Sequence, residues 1–169
     1  MSTLIDGSCL LSPHPTGVPR VVRDLIQQRV LSFEEGATLF TLRAQPTPHP
    51  FAESGLRHLH RMLPSKLVHA HNMLGGSLEQ LAPGRWTRLF LPNMNIAGIP
   101  RIPFDLLVHD LSFLVHPSWF SKKTQLWHRF AQPKELIARA DRLYTLSTQT
   151  TQALVDMCSV PKSRIPQLA

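Results

Sequence analysis

The sequence predicts an α/β fold built on a doubly wound parallel sheet, and two observations point to it. Short apolar runs bounded by prolines, Thr87 to Leu91 and Phe104 to Val108, have the form of strands buried on both faces. Segments of helical periodicity alternate with these and with other strand-like runs along the chain. At 169 residues the chain can bury one real core but is short for two, so one domain is expected.

Taken in order, Thr3-Leu4-Ile5 opens as a short strand and runs into a loop rich in proline and glycine, Ser12 to Gly17. A helix follows: Val18, Val21, Val22, Leu25, Ile26 and Val30 form one apolar stripe, while Arg20, Arg23, Asp24, Gln27 and Gln28 take the other face. Pro19 suits the first helical turn, where its missing N–H costs nothing. Gly36 ends a connection, and Ala37 to Leu42 reads as the second strand. From Ala44 to Pro64 the periodicity is weak, and a loop with a helix over Ser54 to Met62 is expected. Leu67 to Leu81 reads as helical, interrupted at Gly75-Gly76. After the two apolar strands, Ser121 caps a helix through Trp127 and Phe130, and Pro133 interrupts and restarts it. A strand at Leu143 to Leu146 and a helix capped by Ser147 or Thr148 complete the pattern.

Composition narrows the function classes. Hydrophobic residues at 43% and charged residues at 17% indicate a folded chain, and no apolar run approaches the ~18 residues of a membrane span. The N-terminus lacks a basic start followed by an apolar stretch, so a cytoplasmic location is expected. Cys9 and Cys158 fit no metal or C-x-x-C spacing and read as packed, reduced thiols. A net charge of +7 favours polyanions, but the Lys and Arg are scattered and no nucleic-acid motif accompanies them, so no specific nucleic-acid partner is expected. Contact with an anionic membrane surface at the inner face fits the charge better.

Chemistry is expected at two loops. Gly17 stands before a helix N-terminus, where unpaired N–H groups and the helix dipole can receive a phosphate, although neither G-x-G-x-x-G nor a G-x-x-x-x-G-K-[ST] loop is present. His109 and Asp110 fall at the carboxyl end of the Phe104 to Val108 strand, the edge where such sheets place ligands. His109 there can hydrogen-bond a sugar hydroxyl or stabilise developing charge, with Asp110 orienting the ring or capping the next turn. The pairs His58-Leu59-His60 and His69-Ala70-His71 invite a metal reading, but on a helix an H-x-H pair points its rings apart, so packing or surface roles are expected. No G-x-S-x-G elbow offers a hydrolase nucleophile. Trp86, Trp119 and Trp127 read as core or interface residues, with acceptor binding as the alternative.

Several short motifs then arrive in a familiar order: Leu4-Ile5-Asp6, Thr16-Gly17-Val18 and Arg20, Leu91-Pro92-Asn93, Val108-His109-Asp110-Leu111-Ser112-Phe113, Pro117 to Phe120, Leu126-Trp127-His128, Pro133-Lys134, and Ala140-Asp141-Arg142-Leu143 with Leu146-Ser147 and Thr150. With these the chain resembles the N-terminal domain of glycosyltransferase family four, particularly bacterial mannosyltransferase-like members. The likeness covers most of the chain and is weakest from about Ala44 to Pro83. It implies a Rossmann-like half of a GT-B enzyme that retains the anomeric configuration of the transferred sugar, usually without a bound metal. By that resemblance Gly17 approaches the donor diphosphate, His109 lies beside the transferred sugar, Arg20, Asn93 and Asn95 line the acceptor side, and Asp110 supports His109. No cofactor is implied; the co-substrate is a nucleotide sugar, with GDP-mannose as one candidate, and the partner a glycan or lipid-linked acceptor.

Two departures stand against the family pattern. Pro19 follows Thr-Gly-Val where family members usually carry a glycine, a small residue or an aromatic, which stiffens the loop. After Val160 to Ile165 the family continues into a linker and a nucleotide-binding second domain, whereas Pro166-Gln167-Leu168-Ala169 ends this sequence. The C-terminal donor-binding domain is therefore expected to be absent and the chain inactive alone, with a separate donor-domain chain as one candidate partner; the alternative is an inactive fragment or a glycan-binding module.

Overall fold

Alternation along each strand decides the architecture. In the computed structural model, which describes residues 2–11, 17–27, 36–45, 55–95 and 97–166, Leu4, Phe40, Leu89, Leu91, Leu106 and Val108 join one buried cluster. Their neighbours Ile5, Leu39, Phe90 and Leu107 join another. Successive strand side chains point to opposite faces, so a sheet apolar at both parities must be covered on both sides.

Six strands form that sheet, all parallel: β1 (Thr3–Asp6), β2 (Thr38–Arg43), β3 (Arg57–Met62), β4 (Arg88–Leu91), β5 (Phe104–Val108) and β6 (Arg142–Thr145). Their spatial order is β3-β2-β1-β4-β5-β6. This is the Rossmann-like order, in which the winding reverses between β1 and β4 and leaves a crevice at the carboxyl ends of those strands.

Helices supply the two covers. Helix α1 (Val18–Gln27) sinks Val22 and Ile26 into the cluster around Ile5 and Phe90. On the other face lie α3 (Leu78–Leu81), α6 (Pro133–Arg139) and α7 (Thr148–Cys158), through Leu78, Leu136, Ile137 and Leu154. Helix α2 (Ser65–Met73) precedes α3, and the break at Gly75-Gly76 falls where the sequence places it. Ser121 accepts a hydrogen bond from Thr124 N to cap α5 (Lys122–Ala131), and Ser147 caps α7 through Thr150 N. Between α5 and α6, Gln132 takes a left-handed conformation (φ 49°) and Pro133 restarts the helix, as expected. Val30 of the apolar stripe, Gln28 of the polar face and the loop of residues 12–16 lie outside the described residues.

One expectation fails. The helix expected over Ser54 to Met62 is instead the edge strand β3 from Arg57 onward, paired with β2 from Thr38↔Arg57 to Arg43↔Met62. The weak periodicity is that of a strand whose residues are all at least partly exposed, with charged Arg57 and Arg61 blunting the edge. The correction reaches the histidines. On a strand, residues two apart share a face, so His58 and His60 point together and converge on the buried Thr41.

Their hydrogen bonds have a defined direction. His60 Nε2 is 3.0 Å from the Gln45 carbonyl, which can only accept, so His60 Nδ1 accepts from the Thr41 hydroxyl at 2.8 Å. Thr41 Oγ1 in turn accepts from His58 Nε2 at 2.8 Å. At the amino rim Arg88 grips the buried Asp105 through two hydrogen bonds, 2.9 and 2.7 Å, and reaches Asp141 at 3.2 Å, tying together β4, β5 and the entry to β6. Thr41→Val removes the buried hydroxyl that bonds both His58 Nε2 and His60 Nδ1 and, with two hydrogen bonds lost, should lower stability by about 1–3 kcal/mol, with Thr41→Ser retaining most of it. Urea unfolding of the three proteins checks this, and an unchanged Thr41→Val midpoint contradicts it.

Candidate functional site

The carboxyl rim at the point of reversal collects the polar ends of β1, β4 and β5. β1 ends in Asp6, which is almost wholly buried and accepts hydrogen bonds from Ser8 N, Ser8 Oγ and, at 3.0 Å, Asn95 Nδ2. Burial raises the Asp6 pKa above its ordinary value, against the lowering pull of the Ser8 and Asn95 donors. Beyond β4, Pro92 to Asn95 form the loop that carries Asn93. Beyond β5, His109 turns back so that its Nε2 lies 2.8 Å from the Pro92 carbonyl. A carbonyl accepts only, so Nε2 bears the proton, and the lone pair of the neutral ring sits on Nδ1. Burial lowers the His109 pKa, outweighing the Pro92 carbonyl and the Asp110 carboxylate, which both raise it, so the ring is neutral at neutral pH.

A cleft of about 260 Å³ brings together Val18, Asn93, His109, Asp110, Phe113 and Trp127, among others. Gly17 stands one residue outside this lining, in the left-handed region (φ 59°) that favours glycine, and no described atom lies within 4 Å of where its Cβ would be. Conformation, not crowding, calls for glycine there. Arg20 N and Val21 N both donate to the Gly17 carbonyl and Pro19 has no N–H, so at the start of α1 the Gly17 and Val18 amides are the ones with no acceptor among the described residues.

The other candidates divide. Asn93 lines the cleft, and its Oδ1 is buried with no partner among the described residues. Asn95 lines a neighbouring cleft of about 480 Å³, with Ser8, Arg43, Ser65 and His69. Trp127 belongs to both clefts and forms the wall between them. Arg20 is exposed on α1 and lines neither. Asp110 accepts from Ser112 N and Oγ, which stabilises the turn into α4 (Ser112–Val115), while its charge acts on His109.

Sequence reasoning missed part of this rim. Asp6 was visible only as a strand-end acid, and its signal is the isolated charge closing an apolar run. An aromatic wall also went unread: Phe113, Phe120 and Trp127 surround the His128 ring, with centroids 4.9, 5.3 and 5.4 Å from it. Trp86 packs on the core as expected, whereas Trp119 is 73% exposed and stacks on His116. Cys9 and Cys158 are free and partly buried, and burial pushes the Cys9 thiol up to about 12, with the Asp6 charge adding to it.

Among the described residues no three His, Cys, Asp or Glu side chains gather to hold a metal ion, and no helix is long and apolar enough to cross a membrane. No family model matches the chain, and no curated protein does. What stands is a Rossmann-like α/β sheet with an imidazole, an unpaired amide oxygen and an aromatic wall at its point of reversal.

Asp6 gives this rim a measurable cost. Since its folded pKa is raised, its contribution to stability is full below the ordinary value of 3.8 and is lost as pH rises through the folded value. Asp6→Asn keeps Oδ1 for Ser8, and the Asn95 amide can turn its oxygen toward the new Nδ2, so the variant should be more stable than the parent at neutral pH, with the gap closing in acid. Unfolding midpoints from about pH 4 to about pH 8 check this, and a parent more stable than Asp6→Asn at neutral pH contradicts it.

Proposed function

We propose that this chain is the acceptor-side half of a retaining sugar transferase, acting with a nucleotide-sugar-binding partner domain on a glycan or lipid-linked acceptor. The observation that carries the reading is the single cleft shared by Val18, Asn93 and His109 at the rim where the strand order reverses. The motifs in glycosyltransferase family four order support it, and by the same resemblance the donor is a nucleotide sugar such as GDP-mannose.

In this reading the donor diphosphate lies against the Gly17 and Val18 amides. His109, its Nε2 proton held by Pro92, accepts a hydrogen bond at Nδ1 from a hydroxyl of the transferred sugar. The partial negative charge on that nitrogen favours the positive charge that grows on the anomeric carbon as the bond to the leaving diphosphate breaks. Asn93 Oδ1 accepts from an acceptor hydroxyl, and the aromatic wall packs against the carbon-rich face of a sugar ring.

Transfer from a panel of nucleotide sugars, with and without a supplied donor domain, tests the reading. Turnover is expected only with the donor domain, and none under either condition leaves a glycan-binding module. His109→Ala should lower kcat by about a hundredfold or more while far-UV circular dichroism stays unchanged; activity near the parent level removes His109 from the mechanism. Because the neutral ring is the working form, kcat should fall as the pH drops below the lowered His109 pKa, and a profile flat in acid contradicts this.

For the membrane reading of the charge we propose a location on α5. Leu126 and Phe130 are exposed on α5 beside Lys122, Lys123 and Arg129, with Trp119 just before them. Flotation with anionic vesicles should recover the protein at low salt and lose it at high salt, whereas equal recovery from neutral and anionic vesicles contradicts an electrostatic contact.

A further inference from the structure

The hydrogen bonds of Asp6 fix what the neighbouring cleft of about 480 Å³ presents to a ligand. An ionised carboxylate only accepts, so Asn95 turns its Nδ2 to Asp6 Oδ2, and the Ser8 hydroxyl gives its proton to Asp6 Oδ1. Both residues line the cleft, and each is left there as an acceptor, Asn95 through Oδ1 and Ser8 through the lone pairs of Oγ. Arg43 supplies the opposite chemistry. Among the described residues it brings the one formal charge to this lining and has no ion-pair partner. Its guanidinium makes one long hydrogen bond, 3.4 Å to the Leu11 carbonyl. Trp127 closes the cleft on the side of His109.

We infer that this cleft is a binding site of its own for a sugar bearing one compact anion, a carboxylate or a phosphate, which meets Arg43 while the sugar hydroxyls donate to Asn95 Oδ1 and Ser8 Oγ. The site needs no passage into the His109 cleft and does not rest on the sugar-transfer reading. Two demands select this occupant. Acceptors held in place reward hydroxyl donors, and an unpaired guanidinium rewards a carboxylate or phosphate. A neutral glycan answers the first demand alone, and inorganic phosphate the second alone. The buried acid gains a purpose here: as a carboxylate it orients two acceptors toward a ligand, which an apolar residue at the end of β1 cannot do.

Side-chain nitrogen-15 NMR of the whole chain tests this, following Arg43 Nε and Asn95 Nδ2, with the Val18 amide reporting on the His109 cleft. Glucuronate and glucose 6-phosphate separate the two kinds of anion, and glucose, inorganic phosphate and alanine are the controls. At least one of the anionic sugars should move Arg43 and Asn95 along one saturation curve that Val18 does not share, and should bind about tenfold or more tighter than any control. Arg43→Gln, at an exposed position, should lower that affinity to the level of glucose and leave the unfolding midpoint unchanged. Asp6→Asn separates positioning from mere support. By turning the Asn95 amide it sets Nδ2 where Oδ1 was, so the affinity for the anionic sugar should fall by about tenfold while stability at neutral pH rises. Affinity that rises with stability in Asp6→Asn, or that survives Arg43→Gln, overturns the proposal. So does any control that binds as tightly as both anionic sugars, or the absence of a saturable shift at Arg43 with either of them.

Discussion

A strand buried on both faces can offer chemistry only where it ends. β1 and β5 are buried along their whole length, and β4 at all but its first residue, so the polar groups of this protein are pushed to the two rims of the sheet. The rims differ in kind. At the amino rim Arg88 and Asp105 satisfy one another and hold strands together. At the carboxyl rim the reversal of strand order parts the loops after β1 and β4, and among the described residues the groups there are left with spare capacity: an imidazole nitrogen, an amide oxygen and two amides at the start of α1. Structure and proposed chemistry separate along this line.

Asp6 shows what that separation costs. A carboxyl group so fully buried is unfavourable when charged, and three donors do not restore its ordinary pKa. An apolar residue at the end of β1 would stabilise a mere scaffold better. The acid instead holds Ser8 and Asn95 in place, and both of these line the cleft next to that of His109. Stability given up to keep a polar group fixed in a crevice is the pattern expected of a binding site.

Most of the fold was legible in the sequence because its strongest signals are local. Pro133 and the capping serines Ser121 and Ser147 mark helix ends through their own backbone chemistry, and β4 and β5 are apolar runs too short for helices. β3 was not legible: an exposed edge strand carries no burial pattern, and its pairing with β2 is a long-range fact. The site was legible in part for the same reason. His109 and Gly17 could be placed at strand and helix ends by counting, and the cleft brings His109 together with Asn93 and with Val18 beside Gly17. That Arg20 faces away, that Asn95 turns to Asp6, and that Trp127 parts two clefts depend on how α1 and α5 dock, which no single segment encodes.

The central claim is that the start of α1 and the His109 ring serve one ligand. Nitrogen-15 NMR of the labelled chain titrated with mannose 1-phosphate tests it most directly, following the Gly17 and Val18 amides, the His109 ring nitrogens and, as an amino-rim control, Arg88 Nε. The account expects the two amides and His109 Nδ1 to shift along one saturation curve while Arg88 stays still. Shifts confined to the helix start or to the imidazole alone, or equal shifts at Arg88, would contradict it.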